Sequence, residues 1–424
     1  MRHLYTALLY LATPAILLRL LWSGRRNRAY WRRWPERFGY VPAPPAAGGI
    51  WLHAVSVGEV IAALPLIERL LARHPGRAVI VTTSTPTGSD RVRAALGDRV
   101  THIYLPYDLP GAVHRFVDAL RPGLGVIMET ELWPNLVACC AARGIPVVLA
   151  NARLSAGSAA GYRRVGRLTR GLLRNLAAIA AQAEDDARRL VELGADPARV
   201  EVTGSIKFDQ EIDQQTVAAG RALRAALGAR RPCWIAASTH EGEEAAVLDA
   251  HAAVRARLPE ALLLLVPRHP ERFDRVAALV AARGFAAARR SAGTVPAGVA
   301  VYLGDTMGEL PLLYAAADVA FVGGSLVPTG GHNPLEPAAL GLPLLAGPHL
   351  HNFQRIAGLL GAAGALATVS DAGGLGLQVA GYLADPARAA AAGTAGRGVV
   401  AQNRGALDRL EALLERVLER GPGG

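Results

Sequence analysis

The stretch GIWLHAVSVGEVIAALPLIERLLAR, residues 49–73, decides the fold. Its first seven residues, Gly49–Val55, form a short apolar, β-rich run. Gly58 then permits a tight turn, and the helical stretch Val60–Arg73 follows. A strand that runs straight into a helix is half of a βαβ unit.

The same alternation continues outward. Ala78–Thr83, Leu124–Met128, Pro146–Ala150, Ile179–Ala181 and Val200–Thr203 are further β-rich runs separated by helical stretches. A polar segment, Asp209–Arg231, interrupts the pattern. It restarts at Cys233–Ala237, Leu262–Val266, Val299–Leu303, Val319–Val322 and Pro343–Ala346. Strands alternating with helices predict an α/β protein with doubly wound parallel sheets. The expected layout is an N-terminal Rossmann-like domain over 41–208, opening with the Pro/Gly-rich spacer Val41–Gly49, then a linker over 209–231. A C-terminal Rossmann-like domain over 232–396 follows. A final amphipathic helix within 397–424 carries Leu407, Leu410, Leu414 and Leu418 at helical spacing. Two such domains predict a ligand cleft at their interface, beyond the carboxyl ends of the strands. Neither G-x-G-x-x-G nor G-x-x-x-x-G-K-[ST] occurs, which argues against a dehydrogenase or a P-loop enzyme.

Composition narrows the class. The chain has 424 residues, enough for two domains, with 51% hydrophobic residues. The net charge of +11 suggests nucleic acid. Its distribution does not: residues 1–40 hold eight Arg against one acid, Glu36, and no basic stripe with interleaved aromatics lies beyond them. Three cysteines, Cys139, Cys140 and Cys233, have no metal-binding spacing and read as reduced thiols of a cytosolic setting. Of 46 basic residues, Lys207 is the single lysine. It marks a place where a compact ammonium is needed and a planar guanidinium does not fit.

The first forty residues, 1–40, form a separate segment. Leu4–Trp22 is nearly continuous apolar sequence of about the length that crosses a bilayer. Arg25, Arg26, Arg28, Arg32, Arg33 and Arg37 follow, with Trp22, Tyr30, Trp31 and Trp34 among them. Aromatics and cations after an apolar run describe a membrane end with the bulk of the chain on the cytoplasmic side. A cleaved signal peptide would carry its charge before the run. Pro14 and Arg19 leave an in-plane anchor open as well.

Several motifs stand at strand ends. His53-Ala-Val-Ser56-Val-Gly58-Glu59 puts Glu59 in a first helical turn, where the dipole favours its anion, and makes it a candidate general base. Met128-Glu129-Thr130-Glu131-Leu132-Trp133-Pro134-Asn135 puts two acids after an apolar run. Thr203-Gly204-Ser205-Ile206-Lys207-Phe208-Asp209 brings Lys207 to the same region, where a cation stabilises developing negative charge. In the second half, Ser238-Thr239-His240-Glu241-Gly242-Glu243-Glu244 reads as a structural helix start. Pro267-Arg268-His269-Pro270 offers Arg268 to a phosphate, and Met307-Gly308-Glu309 follows. The block Gly323-Gly324-Ser325 with Gly330-Gly331-His332-Asn333-Pro334-Leu335-Glu336 lets backbone approach a ligand. A helix starting near Pro334 would offer free N–H groups, and Glu336 would take ribose hydroxyls.

Together these motifs resemble the 3-deoxy-D-manno-octulosonic acid (Kdo) transferase family, from His53 to Phe353. Thr82-Thr-Ser-Thr-Pro-Thr-Gly88, Tyr104-Leu-Pro-Tyr-Asp-Leu109 and Asn151-Ala-Arg-Leu-Ser155 add to the match. The resemblance implies a GT-B fold, with the acceptor domain first and the donor domain second. It implies transfer of Kdo from CMP-Kdo to a lipid A precursor with inversion, at the inner membrane and on its cytoplasmic side. By position Glu59 is then the base, and Glu129 and Lys207 stabilise the transition state. Pro267, Arg268, Met307, Gly308, Glu309, Asn333, Pro334, Leu335 and Glu336 contact CMP. No Asp-x-Asp motif is present, so no metal and no cofactor are expected. Partners are the donor, the lipid acceptor and anionic lipid headgroups, not nucleic acid. Another inverting GT-B transferase, a UDP-sugar epimerase and a nucleotide-binding scaffold are the competing readings.

Overall fold

The computed structural model describes residues 1–42, 47–294 and 298–421. The spacer expected over Val41–Gly49 falls partly outside them. The chain forms two compact units, one of residues 1–209 with 404–424 and one of residues 210–403.

The first unit holds a seven-stranded parallel sheet of β1 (Ile50–His53), β2 (Val79–Thr83), β3 (Thr101–Tyr104), β4 (Leu124–Met128), β5 (Val147–Ala152), β6 (Ala178–Ala181) and β7 (Val200–Val202). Their order is β3-β2-β1-β4-β5-β6-β7. Leu52 of β1 faces Val81 of β2 on one side and Val126 of β4 on the other. The central strands are continuously apolar because helices cover both faces. Alternate residues serve the two covers. Ile50, Leu52, Val81 and Val126 pack beneath helices Val57–Arg73 and Ala406–Arg420. Trp51, Ile80, Ile127 and Leu149 pack beneath helices Pro110–Leu120 and Pro134–Ala142, with Trp51 edge-on to Phe116 at 5.6 Å.

The second unit repeats the design with β8 (Cys233–Thr239), β9 (Leu262–Pro267), β10 (Ala287–Arg289), β11 (Val301–Leu303), β12 (Val319–Val322), β13 (Leu344–Ala346) and β14 (Leu366–Thr368), in the order β10-β11-β9-β8-β12-β13-β14. Winding reverses between β1 and β4 in the first unit and between β8 and β12 in the second. A doubly wound sheet binds its ligands at that reversal, outside the carboxyl ends of the strands.

Two expectations change. The stretch expected as a linker over 209–231 is mostly a helix, Gln214–Gly228, that belongs to the second unit. The helix expected within 397–424 is broken. One helix ends at Gln402, Gly405 takes a left-handed φ of 86°, and a new helix spans Ala406–Arg420. That last helix returns to the first unit, where Leu407, Leu410, Leu413, Leu414 and Val417 join its core. The Asp209 carboxylate clasps its start, accepting from Gly405 N at 2.6 Å and Leu407 N at 2.7 Å.

The N-terminal helix spans Arg2–Arg26 with Pro14 inside it. Its window Arg2–Arg25 is long and apolar enough to cross a membrane, with a mean hydropathy of 1.7 and only 6% of it buried. Its first turns touch the first unit, where Thr6 Oγ1 meets the Asn135 side chain at 3.0–3.2 Å. The basic run after it divides. Arg25, Arg28 and Arg32 are exposed. Arg33 instead donates to the His102 carbonyl at 2.7 Å and to Glu36 at 2.6 Å. Arg37 is buried over the Tyr104 ring at 4.3 Å. Those two arginines fasten the segment to the end of β3 and do not form part of a headgroup skirt.

Candidate functional site

The reversal point of the first sheet collects acids and the single lysine. Ser56 and Glu59 cap the helix Val57–Arg73 reciprocally: Ser56 Oγ accepts from Glu59 N at 3.5 Å, and Glu59 Oε2 accepts from Val55 N at 2.9 Å. The Val55 N–H, and the Ser56 hydroxyl donating to Glu59 Oε1 at 3.3 Å, favour the Glu59 anion. Burial opposes it, aided by the charges of Glu129 and Glu131, and its pKa is pushed up to about 7. The helix dipole also favours the Glu59 anion, but desolvation outweighs it.

Glu129 follows β4 with a left-handed φ of 58°, a conformation that costs a non-glycine residue energy and persists where the surroundings enforce it. Its Oε1 accepts from Lys207 Nζ at 2.9 Å. Glu131 is also pushed up, first by burial and then by Glu129. Thus Glu59, Glu129 and Lys207, picked from three motifs far apart in sequence, stand together.

Their support was not visible in the sequence. Asn151, at φ 52° in β5, accepts from Ile206 N at 3.3 Å and so fixes the short turn carrying Lys207. His53 is fully buried, bonded to Thr82 at 2.9 Å, and pushed down to about 4 by burial, so it is neutral. Asp108 caps the helix Pro134–Ala142 through Asn135 N and Leu136 N at 2.9 and 2.8 Å. Two of the motifs are therefore joined for structural reasons.

The reversal point of the second sheet is built around Glu243. This fully buried carboxylate accepts from His240 N, Gly324 N, Ser325 N and Leu326 N at 2.6–2.9 Å. It ties the start of helix Glu243–Arg257 to the Gly-rich loop after β12. Glu244 is paired bidentately with Arg272. A motif read as a plain helix start is therefore the organiser of the glycine loop.

Around that loop lie Arg268, His240, His269 and His332. His240 stacks on His332 with ring centroids 5.0 Å apart, and their Nε2 atoms are 2.7 Å apart. His269 stands edge-on to His240 at 5.2 Å. Burial and then the neighbouring His240, Arg268 and His269 push His332 down to about 4.

Asn333 and Glu336 adjoin at 3.4 Å, and Asn333 Oδ1 accepts from Leu335 N at 3.1 Å. That bond occupies an N–H expected to be free. The helix there, Leu335–Leu340, has six residues and Pro334 as its cap. Burial raises the Glu336 carboxyl above its usual range. Pro267 ends β9 next to Arg268. Met307 is exposed, Gly308 takes φ 83°, and Glu309 is held by Arg290 at 2.8 Å, which keeps its carboxyl below its usual range. These last residues follow β11, the neighbour of β9, and among the described residues no hydrogen bond links them to Asn333 or Glu336.

Residues 32–210 match the family model described as 3-Deoxy-D-manno-octulosonic-acid transferase (kdotransferase). A 3-deoxy-D-manno-octulosonic acid transferase of Haemophilus influenzae is 44% identical over 423 residues, covering 99% of each chain. One of Bordetella pertussis is 42% identical and covers 97% of this chain and 98% of its own. A glycosyltransferase structure from Rickettsia africae matches with a TM-score of 0.57 over 88% of this chain and 99% of its own; at 13% identity it bears on the fold alone. Its likeness agrees with two parallel Rossmann-like units of GT-B type. With identity at this level along nearly the whole chain, the protein belongs to the 3-deoxy-D-manno-octulosonic acid transferase family.

Proposed function

We propose that this protein transfers Kdo from CMP-Kdo to a lipid A precursor, inverting the anomeric centre. The observation that carries the reading is Glu59, a carboxyl brought to about 7 beside the Glu129–Lys207 pair at the reversal of the first sheet. A general base works best with a pKa near the operating pH. Glu59 would take the proton of the acceptor hydroxyl as its oxygen bonds to the sugar. The bond from sugar to phosphate breaks on the opposite face, and its electron pair leaves on CMP. Lys207, held by Glu129, would steady the charge that builds up in that step.

The second unit would hold the donor. Arg268, the loop 323–336 and Glu309 are its candidate contacts with CMP. Membership of the family supports this assignment, as does the arginine at the reversal of the sheet. The anchor helix and exposed Arg25, Arg28 and Arg32 suit an enzyme working on a lipid acceptor at the cytoplasmic face of the inner membrane. The carboxylate and lysine set calls for no metal, so full transfer in excess chelator is expected; loss restored by magnesium would overturn that part.

The test is transfer of labelled Kdo from CMP-Kdo to a tetraacylated lipid A precursor by wild type and Glu59→Gln. Transfer by wild type, lost in a variant that still binds CMP, is the expected result. A folded wild type that transfers nothing would refute the reading.

A further inference from the structure

Three histidines meet at the reversal of the second sheet: His332 lies within the loop assigned to CMP above, and His240 and His269 border it. His240 follows β8, His269 follows β9, and His332 lies in the loop after β12. The Nε2 atoms of His240 and His332, 2.7 Å apart, need one proton between them: one ring donates and the other accepts. Two imidazoles on one tetrahedral metal, each with a bond of 2.0–2.1 Å, hold their nitrogens roughly 3.3 Å apart. The pair is therefore joined by a proton and not arranged around an ion. Glycine permits the contact, since a Cβ on Gly324 would come within 3.0 Å of His332 Cδ2 and 3.3 Å of His240 Cδ2.

The charges around the pair are unequal. Glu243 is the adjacent acid, and its two oxygens are filled by four backbone N–H groups. Arg272 is matched by Glu244. Arg268 has no carboxylate within ion-pairing reach among the described residues, and His269 adds a third ring. The result is a half-buried cluster of a guanidinium and imidazoles that can each gain a charge; besides Glu243 the acid beside the rings is the exposed Glu271, 3.9 Å from His269 Nδ1 and not against the His240–His332 pair.

We infer that the His240–His332 pair is the phosphate-binding element of the donor site, and that it opens and takes up a proton when the doubly charged phosphate of a nucleoside monophosphate arrives beside Arg268. This rests on the donor reading given above. The proton comes from solvent. With both Nε2 atoms protonated the two rings can no longer share a hydrogen, so the contact breaks and both N–H groups turn to the phosphate. Without ligand the pair stays neutral, because burial, Arg268, His269 and, for His240, Arg272 all disfavour charge, with Glu243 alone opposing for His240.

The experiment is calorimetric titration of the full chain with CMP at pH 7.5, repeated in buffers of different ionisation enthalpy, which reads the protons taken up on binding. The phosphate of CMP is by then almost wholly dianionic. Wild type is expected to take up approaching one proton per CMP, and its affinity to fall by up to about tenfold per pH unit above neutrality. His332→Gln and His240→Gln are expected to bind more weakly, with uptake near zero and a flat pH dependence. His332→Asn is a second, smaller replacement if His332→Gln fails to fold. Tight binding by wild type with no proton uptake would overturn the inference while leaving the donor reading intact. Uptake that persists in both variants would also overturn it. A folded wild type that does not bind CMP would sink the inference and the donor reading together.

Discussion

Glu59 lies where two tendencies of comparable size oppose each other. The Val55 N–H and the Ser56 hydroxyl favour its anion, while burial and the charges of Glu129 and Glu131 favour the acid. The acid gains enough to move the pKa to about 7, with two consequences. The rate of transfer should rise through pH 7 on its acid limb, and Glu59→Gln should lower kcat by about 10²–10⁴-fold with CMP affinity unchanged; kcat measured from pH 5.5 to 8.5 checks both. Stability carries the opposite sign. The folded state keeps the Glu59 proton up to about 7, while the unfolded chain releases it near the ordinary value of 4.5. Wild type therefore loses stability as pH rises through that window. Glu59→Gln does not, so its Tm relative to wild type should climb between pH 5 and pH 8, and a pH-independent difference would contradict the raised pKa. Lys207→Arg should lose transfer by at least about tenfold despite keeping the charge, because the planar guanidinium cannot repeat a point contact with Glu129. Both residues were legible in the sequence, one as a strand-end acid and one as the single lysine. Left unseen were the depth of burial, which reverses the protonation of Glu59, and the left-handed backbone of Glu129 and Asn151, which no side chain announces.

At the scale of elements, the sequence revealed what packs and concealed what it packs against. The central strands stood out because helices cover both their faces. The edge strands Thr101–Tyr104, Ala287–Arg289 and Leu366–Thr368 escaped notice because they are short and partly exposed, and so keep polar residues. Leucine spacing marked the last helix, whose destination depends on Asp209, almost two hundred residues upstream of it. That helix buries five aliphatic side chains in the first unit. At about 1.5–3 kcal/mol each they contribute on the order of 10 kcal/mol, comparable to the whole net stability of a domain. Truncation after residue 403 should therefore abolish cooperative unfolding of the first unit, followed by circular dichroism in urea. In the second unit, Glu243→Gln places an amide N–H against donors that need an acceptor. It should cost about 2–4 kcal/mol, read as a lowered urea midpoint, with weaker CMP binding as the glycine loop slackens. An unchanged midpoint would mean that the loop holds itself.

Across the whole molecule, eight of the arginines lie in the first forty residues, yet position along the chain did not say which of them serve a membrane. Arg33 and Arg37 are spent on the protein itself, while Arg25, Arg28 and Arg32 remain exposed. Replacing those three with Gln should weaken binding to vesicles containing anionic lipid by about 1 kcal/mol per residue, an effect lost at high salt. Arg33→Gln should leave vesicle binding alone and lower Tm. Sedimentation with vesicles and thermal unfolding separate the two groups. The return of residues 404–420 to the first unit bears on how the protein is made. A ribosome releases the first sheet early and the helix that completes the cover of one face last, so throughout synthesis of residues 210–403 the nascent chain carries a sheet with part of one apolar face open. The second unit, whose residues are contiguous, can close while the first still waits. The interval in which this protein is most exposed to chaperones and proteases is thus set by the translation time of its own inserted half.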